Sequence, residues 1–248
     1  MSANGFSWFE LVTSDLDAAA AFYGRVLGWT AADFPGSPER YLIVRAQDED
    51  VGGVMALPAG MSQPFWLTYV GVPDRDAAVA SLAGQRATIV RSFEVPNVGA
   101  IALVEDPQGA GFAVIQGYRE GESKSFSTTK VGHLNWNELH TTDWEVAWDF
   151  YSGVFGWKKD TAMDMGAMGT YQIFSINGDR AGAMMNNSNV PMPIWVPYFG
   201  VESASTAEQL VREHGGKVTQ TPHEVPGDRF ILEATDPQGA RFALVGGR

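Results

Sequence analysis

Cysteine is absent from all 248 residues. That excludes disulfides, thiolate metal sites, iron–sulfur clusters and a cysteine nucleophile. No apolar run approaches the length of a transmembrane helix. The short polar start carries no basic segment followed by an apolar stretch, so a secretory signal is not expected and the cytoplasm is the default compartment. Positive charge is scarce: 17 Lys and Arg stand against 29 Asp and Glu, a formal net charge of −12. An acidic chain repels phosphate backbones and anionic lipid, which argues against nucleic-acid and membrane partners. Phosphate-binding glycine loops, Gly-x-Ser-x-Gly and His-Glu-x-x-His are also missing. What is present fits a folded globular chain, with 45% hydrophobic and 19% charged residues.

The chain repeats itself. Trp8-Phe9-Glu10-Leu11 returns as Trp136-Asn137-Glu138-Leu139, and Asp15 returns as Asp143. Phe22-Tyr23 matches Phe150-Tyr151, and Gly28-Trp29 matches Gly156-Trp157. Gly53-Val54-Met55 aligns with Gly182-Ala183-Met184, and Tyr69-Val70-Gly71-Val72 with Tyr198-Phe199-Gly200-Val201. Asp106-Pro107-Gln108-Gly109-Ala110 recurs as Asp236-Pro237-Gln238-Gly239-Ala240. So many matches in one order, at an almost constant separation, mean duplication. Repeat one is expected to span residues 1–118 and repeat two residues 131–248. Residues 119–130, polar and rich in Ser, Thr and charge, read as a solvated linker.

Within repeat one, residues 6–12 read as a strand. Ser14 or Asp15 caps a helix whose apolar side chains recur at helical spacing up to Gly28. Residues 41–46 and 51–57 read as strands, and 65–72 as another. Asp74 caps a second helix, closed by Gly84, before strands at 87–91, 100–104 and 112–115. Asp106 to Gly109 is a turn, because proline presets φ and glycine permits φ > 0. The pattern predicts an α+β protein of four βαβββ modules, two per repeat, with helices outside the sheets.

The strand–Asp–helix opening that ends in Phe-Tyr-x-x-Val-Leu-Gly-Trp (Phe22 to Trp29), with the closing Asp-Pro-x-Gly, resembles the vicinal oxygen chelate superfamily. That group includes glyoxalase I, extradiol dioxygenases, fosfomycin-resistance enzymes and bleomycin-binding proteins. The tandem layout and the repeated Trp-x-Glu-Leu are similar to two-unit members labelled hydroxylase, or a mycobacterial secreted antigen. The resemblance covers nearly the whole chain outside the linker. It implies two glyoxalase-like domains in tandem, each a cup around a divalent metal. At the family's ligand places stand Trp8 and Trp136, Trp66-Leu67 and Trp195-Val196, Ala113 and Ala243, and Met55 and Met184. Indole and alanine donate nothing to such a metal, and a thioether is too soft. The family's metal site is therefore expected to be absent.

Other residues could carry chemistry. Side chains alternate along a strand, so Glu10 shares a face with Trp8, and Glu138 with Trp136 and His140. A carboxylate in an apolar cavity is a candidate acid or base, or else a satisfied mid-strand residue. His140, two residues from Glu138, could complete an acid/base pair or half a metal site. Trp8, Trp66, Trp136 and Trp195, with Tyr41, Tyr171, Met55 and Met184, could line cavities or fill cores. His223 could rim the second cavity, while His133 and His214 read as surface or linker residues. Met163, Met165 and Met168 read as a flexible loop that could cover a cavity.

Two functions follow as expectations. One is a metal-free protein that binds an apolar or aromatic small molecule, with no cofactor. The other is a glyoxalase- or hydroxylase-like enzyme, a lyase or oxygenase, using a divalent metal or Glu138 with His140. A duplicated unit suits a monomer, and a homodimer is the other option.

Overall fold

A helix start leaves backbone N–H groups unpaired, and a short polar side chain can accept them. The computed structural model describes residues 4–35, 37, 39–118, 121, 123–187 and 192–248. In it, Asp15 accepts from the N–H of Ala18 and opens α1 (Leu16–Leu27), and Asp74 opens α2 (Arg75–Gly84). Asp143 opens α3 (Trp144–Phe155), and Ser203 opens α4 (Ala204–Glu213). Gly28 and Gly156 end α1 and α3 in the left-handed region, both at φ 70°. Gly84 was expected to close α2 but is its last helical residue. The chain leaves α2 through Gln85 and Arg86 instead, with Arg86 at φ 67°.

The strands of repeat one are β1 (Phe6–Thr13), β2 (Thr30–Asp33), β3 (Tyr41–Ala46), β4 (Glu49–Ala56), β5 (Phe65–Gly71), β6 (Thr88–Val95), β7 (Gly99–Glu105) and β8 (Gly111–Gly117). Those of repeat two are β9 (Leu134–Thr141), β10 (Lys158–Asp164), β11 (Thr170–Ile176), β12 (Asp179–Asn186), β13 (Ile194–Ser203), β14 (Lys217–Val225), β15 (Arg229–Thr235) and β16 (Arg241–Gly247). They form two eight-stranded sheets, ordered β2-β3-β4-β1-β5-β8-β7-β6 and β10-β11-β12-β9-β13-β16-β15-β14. This is the expected α+β arrangement of four βαβββ modules. Among the described residues, no helix is long and apolar enough to cross a membrane.

Packing groups the modules across the repeats. One compact unit comprises Met1–Ser7, Thr68–Ser123 and Asn137–Trp195; the other comprises Trp8–Leu67, Lys124–Trp136 and Val196–Arg248. In the first unit, the hydroxyl of Tyr151 on α3 donates to Asp106 Oδ2 at 3.1 Å and accepts from Trp195 Nε1 at 3.0 Å. Asp106 Oδ1 meanwhile accepts from the N–H groups of Gln108 and Ala110, which holds the Asp-Pro-Gln-Gly turn. Trp157 stacks on Phe174 and on Tyr151, at centroid distances of 4.8 and 5.5 Å. The second unit repeats the device. Tyr23 on α1 donates to Asp236 at 3.2 Å and accepts from Trp66 at 3.2 Å, with Trp29 against Phe199. Each tyrosine is fully buried, and burial followed by the neighbouring aspartate's charge pushes its phenol well above the ordinary range. Both hydroxyls therefore stay protonated and donating.

The linker was expected to be solvated, yet part of it is packed. Ser125 is buried, Phe126 bridges to Leu134, and Asn135 donates to the carbonyls of Ser127 and Lys130. His133, expected at the surface, is buried as well. Its Nδ1 lies 2.6 Å from the Lys124 carbonyl and its Nε2 3.3 Å from Glu49. A polar composition near a strand start does not distinguish solvated chain from chain whose polar groups are satisfied internally. Residues 119, 120 and 122 of the linker lie outside the described residues.

Tyr151→Phe removes one hydroxyl and leaves two buried polar partners unpaired. It should lower unfolding free energy by about 1–3 kcal/mol, measured by urea titration. Asp106 gives a separate pH test. Burial holds its carboxyl above the ordinary carboxylate value, against the opposing backbone N–H bonds and Tyr151. The folded protein thus binds this proton more tightly than the unfolded chain. The resulting stability is present below the ordinary carboxylate range and is lost as pH rises through the raised value. Asp106→Asn should flatten that loss between acid and neutral pH, and an unchanged pH slope would refute the assignment.

Candidate functional site

On β9, alternation places Trp136, Glu138 and His140 on one face and Asn137, Leu139 and Thr141 on the other. The register extends both faces. Ala183 of β12 lies beside Glu138 and Met185 beside His140; across β11, Ile173 pairs with Ala183 and Tyr171 with Met185. Met163 of β10 pairs with Tyr171. One row across the strands is therefore Met163, Tyr171, Met185 and His140, and the next holds Ile173, Ala183 and Glu138. The opposite face carries Leu139, Met184 and Phe174, and Phe174 is the ring stacked on Trp157 in the helix-covered core.

Glu138 and His140 are both buried, and their side chains meet. His140 Nε2 lies 2.7 Å from Glu138 Oε1 but off the ring N–H direction, so the contact is close without being an aligned hydrogen bond. Tyr171 donates its hydroxyl to Glu138 Oε2 at 2.6 Å. The amide nitrogen of Asn187, just beyond β12, lies 2.6 Å from His140 Nδ1. An amide N–H donates, so Nδ1 accepts, the tautomer whose proton sits on Nε2, the ring nitrogen nearer Glu138. On the same face, within the same compact unit, Met163 and Tyr171 are half-buried.

Repeat one has a related arrangement. Glu10 lies beside Gly53 and Val12 beside Met55, and Tyr41 pairs with Met55. Trp8 donates its indole N–H to the Tyr41 hydroxyl at 2.9 Å, and that hydroxyl donates to Glu10. Burial, then the charge of Glu10, pushes the Tyr41 phenol well above its ordinary value, so it remains a donor. Val12 occupies the place that His140 holds in repeat two.

Several expected lining residues sit elsewhere. Met184 is on the helix-covered face and Met185 takes its place. The matching glycines are Gly52 and Gly182, which pair with Val44 and Phe174, so the sequence alignment at this strand was one residue out. A slip of one residue turns every side chain to the other face. Trp66 and Trp195 are buried in the aromatic cores, where their N–H groups serve Tyr23 and Tyr151. His223 on β14 is half-buried and belongs to the second unit, with Nδ1 3.2 Å from the Thr221 carbonyl and Gln220 at 3.4 Å. Met163 is a strand residue and not part of a loop; only Gly166–Met168 forms a short turn of 3-10 helix. Asn187 was missed, because nothing local in sequence ties it to His140.

Trp8, Trp136, Ala113 and Ala243 carry no lone pair for a metal, and Glu138 and His140 face each other. Among the described residues, no group of three or more His, Asp or Glu side chains could hold a metal.

A family model described as Bleomycin resistance protein-like N-terminal matches residues 6–37. A model of the Glyoxalase/Bleomycin resistance protein/Dioxygenase superfamily matches residues 130–244. The chain is 29% identical to "Putative glyoxylase CFP32" of Mycobacterium tuberculosis, over 96% of this chain and 93% of that protein. It is 28% identical to "Anthracycline biosynthesis protein DnrV" of Streptomyces peucetius, over 96% and 92%. In structure it is similar to the Mn(II)-bound glyoxalase from Novosphingobium aromaticivorans, with TM-score 0.72 and 15% identity over 99% of this chain and 82% of that one. The 2,3-dioxygenase LapB from Pseudomonas sp. KL28 gives TM-score 0.71 and 14% identity, over 100% and 94%. At these identities the two structures speak to fold alone, that of two glyoxalase-like domains in tandem.

The His140 tautomer can be tested by NMR of nitrogen-15-labelled histidine. The neutral ring should carry its proton on Nε2, and Asn187→Ala should release that preference. A proton on Nδ1 in the native protein would remove Asn187 as the donor.

Proposed function

This chain belongs to the glyoxalase/bleomycin resistance protein/dioxygenase superfamily, and from that premise we propose that it binds an apolar or aromatic small molecule without the family's metal. The observation that carries the reading is the second-repeat face of β9, β11 and β12. A buried Glu138, bonded by Tyr171 and paired with His140, shares its face with Met163, Tyr171 and Met185. Flat aromatic and thioether surfaces suit a planar ligand, and a few convergent polar groups orient it. A relative named for anthracycline biosynthesis supports a polycyclic aromatic. Borderline divalent metals need oxygen or imidazole donors, which the ligand places do not supply, so no step is assigned to a metal.

The 2.7 Å contact between Glu138 and His140 favours a second reading, acid/base catalysis on the bound ligand. Glu138 would accept a proton from a ligand hydroxyl, with Tyr171 and His140 fixing the orientation of its carboxylate. On either reading the partner is a small molecule, and the protein works in the cytoplasm as a monomer or homodimer.

Quinizarin, a planar dihydroxyanthraquinone, should quench tryptophan fluorescence saturably, and a chelator should leave its affinity unchanged. Tyr171→Phe and Glu138→Gln should each weaken binding by about tenfold, the value of a hydrogen bond to a charged group. Elemental analysis of protein purified without added metal provides the counter-test. Stoichiometric zinc, nickel, manganese or iron, lost in Glu138→Gln, would overturn the metal-free reading.

A further inference from the structure

We propose that the β1, β3 and β4 face of repeat one is a second ligand site. It takes the same class of ligand, a planar aromatic with a phenolic or carbonyl oxygen, and holds it without proton exchange. The class of ligand rests on the reading of repeat two given above; the existence of the site rests on repeat one's own geometry. Glu10, Tyr41 and Met55 occupy the strand places of Glu138, Tyr171 and Met185, and Trp8 that of Trp136. Trp8, Glu10, Tyr41 and Met55 all belong to one compact unit. Trp8, Tyr41 and Met55 are half-buried, on the face turned away from the buried Leu11 and Val54.

The polar anchor is pre-set. Trp8 holds the Tyr41 hydroxyl from one side and Glu10 from the other. Gly53 lets the tyrosine lie directly on β4, because a β-carbon there would fall 1.8 Å from the Tyr41 hydroxyl oxygen. Repeat two has Ala183 at that place. A ring pinned in this way loses little freedom when a flat ligand covers it. The difference lies at Val12, a buried aliphatic where repeat two has His140. The carboxylate–tyrosine anchor is kept, but the place of the imidazole to which Glu138 could pass a proton taken from the ligand is filled by Val12. Recognition is thereby separated from acid/base chemistry within one chain.

The full chain is titrated with quinizarin, followed by tryptophan fluorescence and by the visible absorption that reports loss of the ligand's phenolic proton. Two equivalents should bind. Glu10→Gln and, separately, Tyr41→Phe should each weaken one equivalent by about tenfold and spare the other, with circular dichroism confirming both folds. The equivalent that survives in Glu138→Gln should bind without the absorption change. A single equivalent, lost in Glu138→Gln and indifferent to both repeat-one variants, overturns the second site and leaves the reading of repeat two standing. No binding at all overturns both. An absorption change at both sites overturns the claim that the first holds its ligand without proton exchange.

Discussion

The structure depends on a three-part hydrogen bond made twice, from indole to tyrosine to aspartate. Each part is buried and polar, and would be costly alone. Together they close: tryptophan donates to the tyrosine oxygen, and tyrosine donates to one carboxylate oxygen. The other carboxylate oxygen holds the N–H groups of the Asp-Pro-Gln-Gly turn. One side of each aspartate thus fixes a turn between strands and the other fixes a helix. The helix-covered face of the sheet follows from that, and so does the face left for Glu138.

That choice of face decides what the strands can present. On the covered side, Leu139, Met184 and Phe174 are fully buried. Their neighbours one residue along, His140, Met185 and Tyr171, look the other way. The buried carboxylate there accepts from Tyr171, and Asn187 bonds the imidazole, which offsets part of the cost of burying the close pair. The two repeats share the carboxylate–tyrosine anchor and differ at one side chain, Val12 against His140.

Much of this was legible in the sequence. The Phe-Tyr pairs, the helix-capping aspartates and the Asp-Pro-Gln-Gly turns gave the modules, because each has a local physical role. The face shared by Glu138 and His140 followed from alternation alone. What escaped was non-local. With two tyrosines and two turn aspartates, nothing in the sequence says that Tyr23 serves Asp236 and not Asp106. Trp66 and Trp195 resembled lining residues because strand aromatics look alike whichever face they occupy. Met184 was mistaken for Met185 because Gly-x-Met and Gly-x-x-Met cannot be told apart without the register. His133 carries no sequence signal of its burial.

The crossed pairing bears on how the chain is made. Tyr23 leaves the ribosome well before its acceptor Asp236, which lies 213 residues further along. Until then α1 lacks its buried partner, and the aromatic rings around Tyr23 lack Phe242. Domains usually mature from the N-terminus as they emerge. Here the segment from Trp8 to Leu67 must wait for Val196 to Arg248, while the middle of the chain can pack first. The segment from Trp8 to Leu67 is therefore left open to proteases and chaperones for longer than the middle of the chain.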